Sequence, residues 1–272
     1  MKLRAFHLLL VVALITCSSD LMKRIFYLLH TAVLITGCKQ AKNESGKDAV
    51  FAENPMQAST NPAAVAKGVL QADPLAFIPK GYVFFSRCVG DLNNDGEPDM
   101  VLMIKGTDKS KWVNDEQRGQ LDRNRRGLII LLKREGGYEL IVQNYKCFSS
   151  ENEDGGMYYA PELSLDINKN CLLIKYAHGR FGNWQYTFGY HNNDFELIGY
   201  YHNRCIRYAT YYNLDINFQT CIRVYEENLK VCDKDGNEEF KVTKTKIKRR
   251  KPIKLSEIAD FDKLNKGEFA DE

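Results

Sequence analysis

The chain has 272 residues, 44% of them hydrophobic and 27% charged, with 38 basic and 35 acidic side chains. That length and apolar content are enough for an ordinary buried core in one or two domains and exclude a chain disordered throughout. The first forty residues are unlike the rest. Residues 1–17 (MKLRAFHLLLVVALITC) and 22–38 (MKRIFYLLHTAVLITGC) share a basic start, an apolar run and a closing cysteine. Both runs are too short to cross a bilayer comfortably, and their charged front and small-residue exit are those of export signals, with a transmembrane hairpin as the alternative.

Within the second copy, Ile35-Thr36-Gly37-Cys38 resembles the lipobox of bacterial lipoproteins, small Gly37 standing just before the cysteine. The resemblance implies that 1–37 is a signal peptide, that Cys38 is lipidated and becomes the first mature residue, and that the protein is held on a membrane of the cell envelope, most simply the outer membrane. Each buried methylene of an acyl chain adds ~0.8 kcal/mol to such an anchor. Thr16 precedes Cys17 where a smaller residue is usual, so Met22 reads as the start, with 1–21 a duplicated leader or gene-start artefact. A secretory signal cut elsewhere, leaving Cys38 free, is the other reading. Removing 1–37 takes away four cations (Lys2, Arg4, Lys23, Arg24) and one acid (Asp20), leaving 34 of each sign. A neutral chain gives no electrostatic reason to expect a nucleic-acid partner.

Residues 38–72 are rich in Lys, Ala, Asn and Ser without sustained apolar periodicity, the composition of a tether, apart from a short helix expected at 65–70. The β domain is expected at 73–256 and an acidic tail at 257–272. Strand signals fall at 82–89, 99–104, 127–133, 138–145, 163–167, 172–176, 184–190, 195–202, 217–225 and 240–248. Tight polar links such as Glu135-Gly136-Gly137, Asn168-Lys169-Asn170, Asn192-Asn193-Asp194 and Asp233-Lys234-Asp235-Gly236 make neighbours antiparallel. The fold class is therefore mainly β, an antiparallel meander that is propeller-blade-like or sandwich-like. The polar stretch 105–126 reads as an excursion rather than a hairpin, and loops of that length are commonly functional. Lys244, Lys246 and Lys248 alternate with Thr243, Thr245 and Ile247, which marks an edge strand protected by lysines, or a contact for phosphate-bearing lipid.

The segment DLNNDGEPDM, 91–100, sets side-chain oxygens at positions one, three, five and nine of a turn: Asp91, Asn93, Asp95 and Asp99. Gly96 permits a sharp bend, and the main-chain carbonyl of Glu97 supplies a further oxygen. Hard cations such as Ca²⁺ take six to eight oxygens, which alternate residues of one short segment can present. An EF-hand is excluded, because Leu102 stands where its closing glutamate belongs and the flanks read as strands. The pattern GDLNNDGEPDMVLM, 90–103, resembles the calcium loop of FG-GAP and VCBS-type repeats, the blades of integrin-like propellers, with Asn93 in place of the second aspartate. That exchange removes a charge and places the affinity in the weak extracellular range, ~10⁻⁴ to 10⁻³ M. The alternative is an Asx-rich turn without metal. Only one copy of the loop is present. The segments DRNRRGLIILL, CFSSENEDGGMYYAPEL, HGRFGNWQYTFGYHNNDFELIGY and INFQT are similar to a group of bacterial lipoproteins of this type, over roughly 77–225; that resemblance implies an address and calcium but no reaction.

Trp184, Tyr186, Phe188 and Tyr190 share one strand face, which is a sheet's inner face or, if exposed, a stacking platform for sugars or peptides. His178-Gly179-Arg180 is a candidate anion contact or a loop anchor. Glu151, Glu153 and Asp154 form an acidic turn that could lend a ligand to the same ion, hold a second one, or act as acid and base in hydrolysis of an envelope polymer. Six cysteines follow Cys38, and in an exported chain they allow three bridges with fifteen connectivities. GxSxG, HExxH and phosphate-cradling glycine loops are absent. The function expected is a lipid-anchored binding module for a polysaccharide or a protein outside the cytoplasm, with a hydrolase or a purely structural envelope component as alternatives.

Overall fold

The computed structural model describes residues 68–155, 158–206, 209–231 and 236–264, all within one compact unit, Ala58–Glu272. In chain order the strands are β1 (Leu70–Gln71), β2 (Tyr82–Gly90), β3 (Asp99–Gly106), β4 (Trp112–Asp115), β5 (Gly119–Asp122), β6 (Arg126–Arg134), β7 (Gly137–Phe148), β8 (Asp154–Gly155), β9 (Tyr158–Tyr159), β10 (Glu162–Asn168), β11 (Cys171–Ala177), β12 (Gly182–His191), β13 (Asp194–Ile206), β14 (Ala209–Asn217), β15 (Ile222–Asn228) and β16 (Phe240–Lys246). Every pairing is antiparallel. A five-stranded sheet runs β1-β7-β6-β3-β2, and a curled seven-stranded sheet follows chain order from β10 to β16. The mainly β, antiparallel expectation is what is observed.

The two sheets share a core. Val101, Met103, Leu128, Ile130 and Val142 from the first meet Leu172, Ile174, Tyr186, Phe188, Leu214 and Ile216 from the second. A second apolar layer lies on the other face of the five-stranded sheet, where Leu102, Ile104, Ile129 and Leu131 pack with Phe77 from the 3₁₀ turn Pro74–Phe77. Being covered on both sides is why β3 and β6 are written as unbroken apolar runs instead of alternating ones. The seven-stranded sheet alternates, as one buried face requires: in β12, Tyr186 and Phe188 are buried while Trp184 and Tyr190 pack against the same cluster. The aromatic stripe is core.

Turn chemistry sets the register. Lys169-Asn170 and Asn192-Asn193 all have positive φ and close the β10-β11 and β12-β13 hairpins in two residues, the mirror-image turn that matches strand twist. Gly127 sits at a bulge between β6 and β7, where a Cβ would come within 2.2 Å of the Tyr145 main chain. No other residue fits there.

Several expectations are corrected. Residues 105–126 do contain a hairpin, β4-β5, whose strands are too short and polar for a periodicity signal. The single strand expected at 217–225 is the β14-β15 turn and the start of β15; β14 went unseen because its tyrosines and asparagines hide the alternation. Leu70, where the end of a short helix is expected, belongs to strand β1 and pairs with Glu139, and Gln71 pairs with Tyr138; 38–67, with the rest of the expected helix and tether, lie outside the described residues. Leu255, Ile258 and Phe261 are buried in the shared core, so the body extends past 256 and the acidic tail cannot begin at 257. Cys88, Cys147, Cys171, Cys205 and Cys221 carry free thiols, which excludes three bridges; Cys232 lies outside the described residues. Burial pushes the Cys88 thiol up to about 12, with help from the Asp166 charge. The β16 expectation holds: it ends its sheet with all seven residues exposed.

Gly127→Ala should lower stability by about 3 kcal/mol through forced overpacking against main chain, measured as a fall in the urea midpoint at unchanged slope. A midpoint like that of the unsubstituted chain would show that the bulge can open.

Candidate functional site

The turn between β2 and β3 is closed by its own main chain. Asp91 Oδ1 accepts hydrogen bonds from the N–H groups of Asn93 (3.2 Å) and Asn94 (2.6 Å), and Oδ2 from Gly96 (2.9 Å). Asn93 Oδ1 accepts from Asp95 N–H (3.0 Å), and Asp95 Oδ1 from Glu97 N–H (2.9 Å). Asn94 and Gly96 have φ of 62° and 86°, values open to Asn and Gly at little cost. The alternation in the sequence is thus a chain of Asx turns folded around one centre.

Asp99, the ninth position, has no solvent exposure. Its Oδ2 accepts from Leu92 N–H (2.7 Å), and its Oδ1 from Lys133 N–H at the end of β6 (2.8 Å). Burial raises its carboxyl above the ordinary range; the two N–H groups oppose that, and the charges of Asp95 and Asp91 add to it. Asp95 is held low, first by Glu97 N–H, then by the Asn93 amide (2.8 Å) and by Arg134, whose Nη1 lies 3.4 Å away.

The turn touches both sheets. Leu92 is buried in the shared core, Asn170 Nδ2 donates to the Asp91 carbonyl (3.1 Å) from the β10-β11 hairpin, and Gly90 lies so close to Ile167 that an added Cβ would meet its Cγ2 at 2.8 Å. Sequence reasoning found Asp91, Asn93, Asp95, Glu97 and Asp99. It missed Lys133, Arg134 and Asn170, since partners 34 and 79 positions away in the chain leave no local signal.

As donors for a cation, Asp91 Oδ2, Asn93 Oδ1 and Asp95 Oδ1 each accept one hydrogen bond from the turn, and an sp² oxygen has two lone pairs. These residues fit a hard cation by donor type. Among the described residues, no group of three or more His, Cys, Asp or Glu side chains is disposed to hold a metal ion, so amide and main-chain carbonyl oxygens would have to complete any such site.

The remaining candidates lie elsewhere. Lys105, at the opposite end of β3 and about 20 Å from Asp99 at ~3.4 Å per residue, is buried and pairs with Asp122 (3.0 Å) and Glu151. Arg126, also buried, stands 3.8 Å from Glu151 and over the Phe85 ring. Glu151 is thereby too distant to serve the 91–99 turn, and its carboxylate faces Lys105 and Arg126. Glu153 follows in the same segment, and the side chain of Asp154 is outside the described set.

His178 precedes, and Arg180 lies within, the turn Gly179–Phe181 at the far end of β11 from Asn170. The His178 ring packs on Phe181 at 5.0 Å, as does the Arg180 guanidinium at 5.2 Å. Trp184 stacks on Tyr176 at 5.0 Å, and Tyr186 is wholly buried. Tyr186 therefore offers no stacking surface, and His178 and Arg180 do not join the 91–99 turn. No helix among the described residues is long and apolar enough to cross a membrane; Cys38 lies outside them. No family model matches the chain, and no curated protein and no solved structure matches it.

In chelator, Asp99→Ala should cost roughly 3 kcal/mol or more, because two N–H groups lose their acceptor at about 1–3 kcal/mol each. Exposed Asp95→Ala should cost clearly less. Chemical denaturation of both variants reads the difference; equal losses would show that Asp99 is not the bridging group.

Proposed function

We propose that this protein is a lipid-anchored, extracytoplasmic β-domain protein whose 91–99 turn takes a structural calcium ion, and whose body is a binding module for a polysaccharide or protein outside the cytoplasm. The observation that carries the calcium reading is the place of the turn. It is bonded to β6 through Asp99 and to the β10-β11 hairpin through the Asp91 carbonyl. A charge placed there acts on the seam between the sheets.

Asp91, Asn93, Asp95 and the Glu97 carbonyl would hold the ion, with Asp99 beneath. Its two positive charges would offset the three carboxylates, beside which Arg134 stands 3.4 Å from Asp95. In that role the ion is structural: it fixes the first hairpin and the loops that neighbour it. The anchor rests on the lipobox-like Ile35-Thr36-Gly37-Cys38. An enzymatic reading has less support, since Glu151 is paired with Lys105.

Calcium at 10 mM should raise the melting temperature over chelator by about 4–8 °C, the shift expected for a site of ~10⁻⁴ to 10⁻³ M in a body of this size. Asp95→Ala should abolish the rise, and identical melting curves would remove the ion from the account. Cys38→Ser should stop incorporation of labelled palmitate and free the protein from membranes; incorporation that persists would refute the anchor.

A further inference from the structure

The densest run of like charge is not at the turn. Residues 241–254 contain eight lysines and arginines and no acid. The first part is edge strand β16. The second leaves the sheet as a strap: Ile247 N–H donates to the Cys221 carbonyl (2.9 Å), and Ile253 accepts from Leu197 N–H (2.9 Å), where β13 runs beyond the end of β14. Glu196 and Lys254 complete that pairing as an isolated bridge.

Between the strap, the 218–221 turn and β12-β13 lies a cavity of about 880 Å³, within the range of small-molecule sites. Its floor is apolar, with Ile198, Phe218, Ile247 and Ile253 among its walls. Gly189 also lines it, and a Cβ there would press on Ile198 at 3.3 Å. Its rim is cationic: Lys248, Arg249, Arg250 and Lys251 are consecutive and exposed. Only Glu196 opposes them in the lining, and Lys251 has a loose partner in Glu257 at 3.9 Å.

We propose that this cavity binds a small amphiphile with one acidic head group and an apolar chain. An apolar floor alone would accept any greasy molecule, and lysines and arginines on a flat strand would accept any anion. The combination selects a ligand that has both parts, the chain taken from water by the floor and the head held at the strap. The apolar lining beside the cations argues against a bare membrane surface, which a flat basic face would serve as well.

The test is calorimetric titration of the purified full chain with decanoate below its micellar concentration, beside inorganic phosphate and decyltrimethylammonium. Saturable binding of decanoate alone is expected. The triple variant Lys248→Gln, Arg249→Gln, Lys251→Gln changes only exposed side chains and should weaken binding at least tenfold. Ile198→Asn, outside the shared core, should do the same from the floor. Phosphate binding as tightly would reduce the site to an anion patch, and the cationic amphiphile binding as tightly would reduce it to a crevice. Absence of saturable heat, or decanoate binding undiminished in both variants, would overturn the proposal. So would capture by phosphatidylglycerol vesicles that decanoate does not compete and Ile198→Asn does not weaken, which would assign the cations to a membrane surface.

Discussion

Asp99 is a carboxylate removed from water, and the turn that links the two sheets is fastened to β6 through it. A buried charge is tolerable only when its oxygens are satisfied, and here each oxygen takes a different part of the fold: Leu92 N–H from the turn and Lys133 N–H from β6. Leu92 is thereby held in the shared core. The neighbouring Asp91 and Asp95 make the place electronegative, which gives Arg134 a reason to lean on Asp95 and gives the proposed cation its driving force.

The other end of β3 has the opposite sign. Lys105 is buried among Asp122 and Glu151, and Arg126 lies beside it. Between these charges the strand is apolar on both faces, so neither end can turn its charge to solvent without withdrawing the strand from the core. At one end the two N–H bonds to Asp99 hold the 91–99 turn; at the other Lys105 ties the base of the β4-β5 excursion to the segment after β7.

The seven-stranded sheet follows a different logic, since it is covered on one face and grows strand by strand in chain order. Such a sheet must end, and it ends in exposed β16 with its lysines, a common defence against pairing with another chain. The chain then doubles back as a basic strap and finishes by inserting Leu255, Ile258 and Phe261 into the core. Solubility at an edge and closure of the core are thus served by adjacent residues, and the cavity is the space between the two tasks.

How much was legible before any coordinates follows from range. Periodicity marked nine of the long strands near their true bounds, because alternation and unbroken apolar runs are local consequences of burial on one or two faces. Asn-rich two-residue links announced their hairpins, as positive φ is a property of the residues themselves. The comb of Asp91, Asn93, Asp95 and Asp99 was equally plain, since its hydrogen bonds join residues two to seven apart. What escaped was short or distant. β1, β4 and β5 hold too few residues to show a period, and β14 is too polar. That Asp99 reaches Lys133, that Glu151 meets Lys105 instead of the turn, that Tyr186 is core, and that a basic strap roofs an apolar cavity are relations between segments far apart in sequence. Composition and local pattern determined which elements form and which side chains carry charge. Only the tertiary structure decided which charges share a site, because neutralisation and burial depend on distances in space that chain order does not contain.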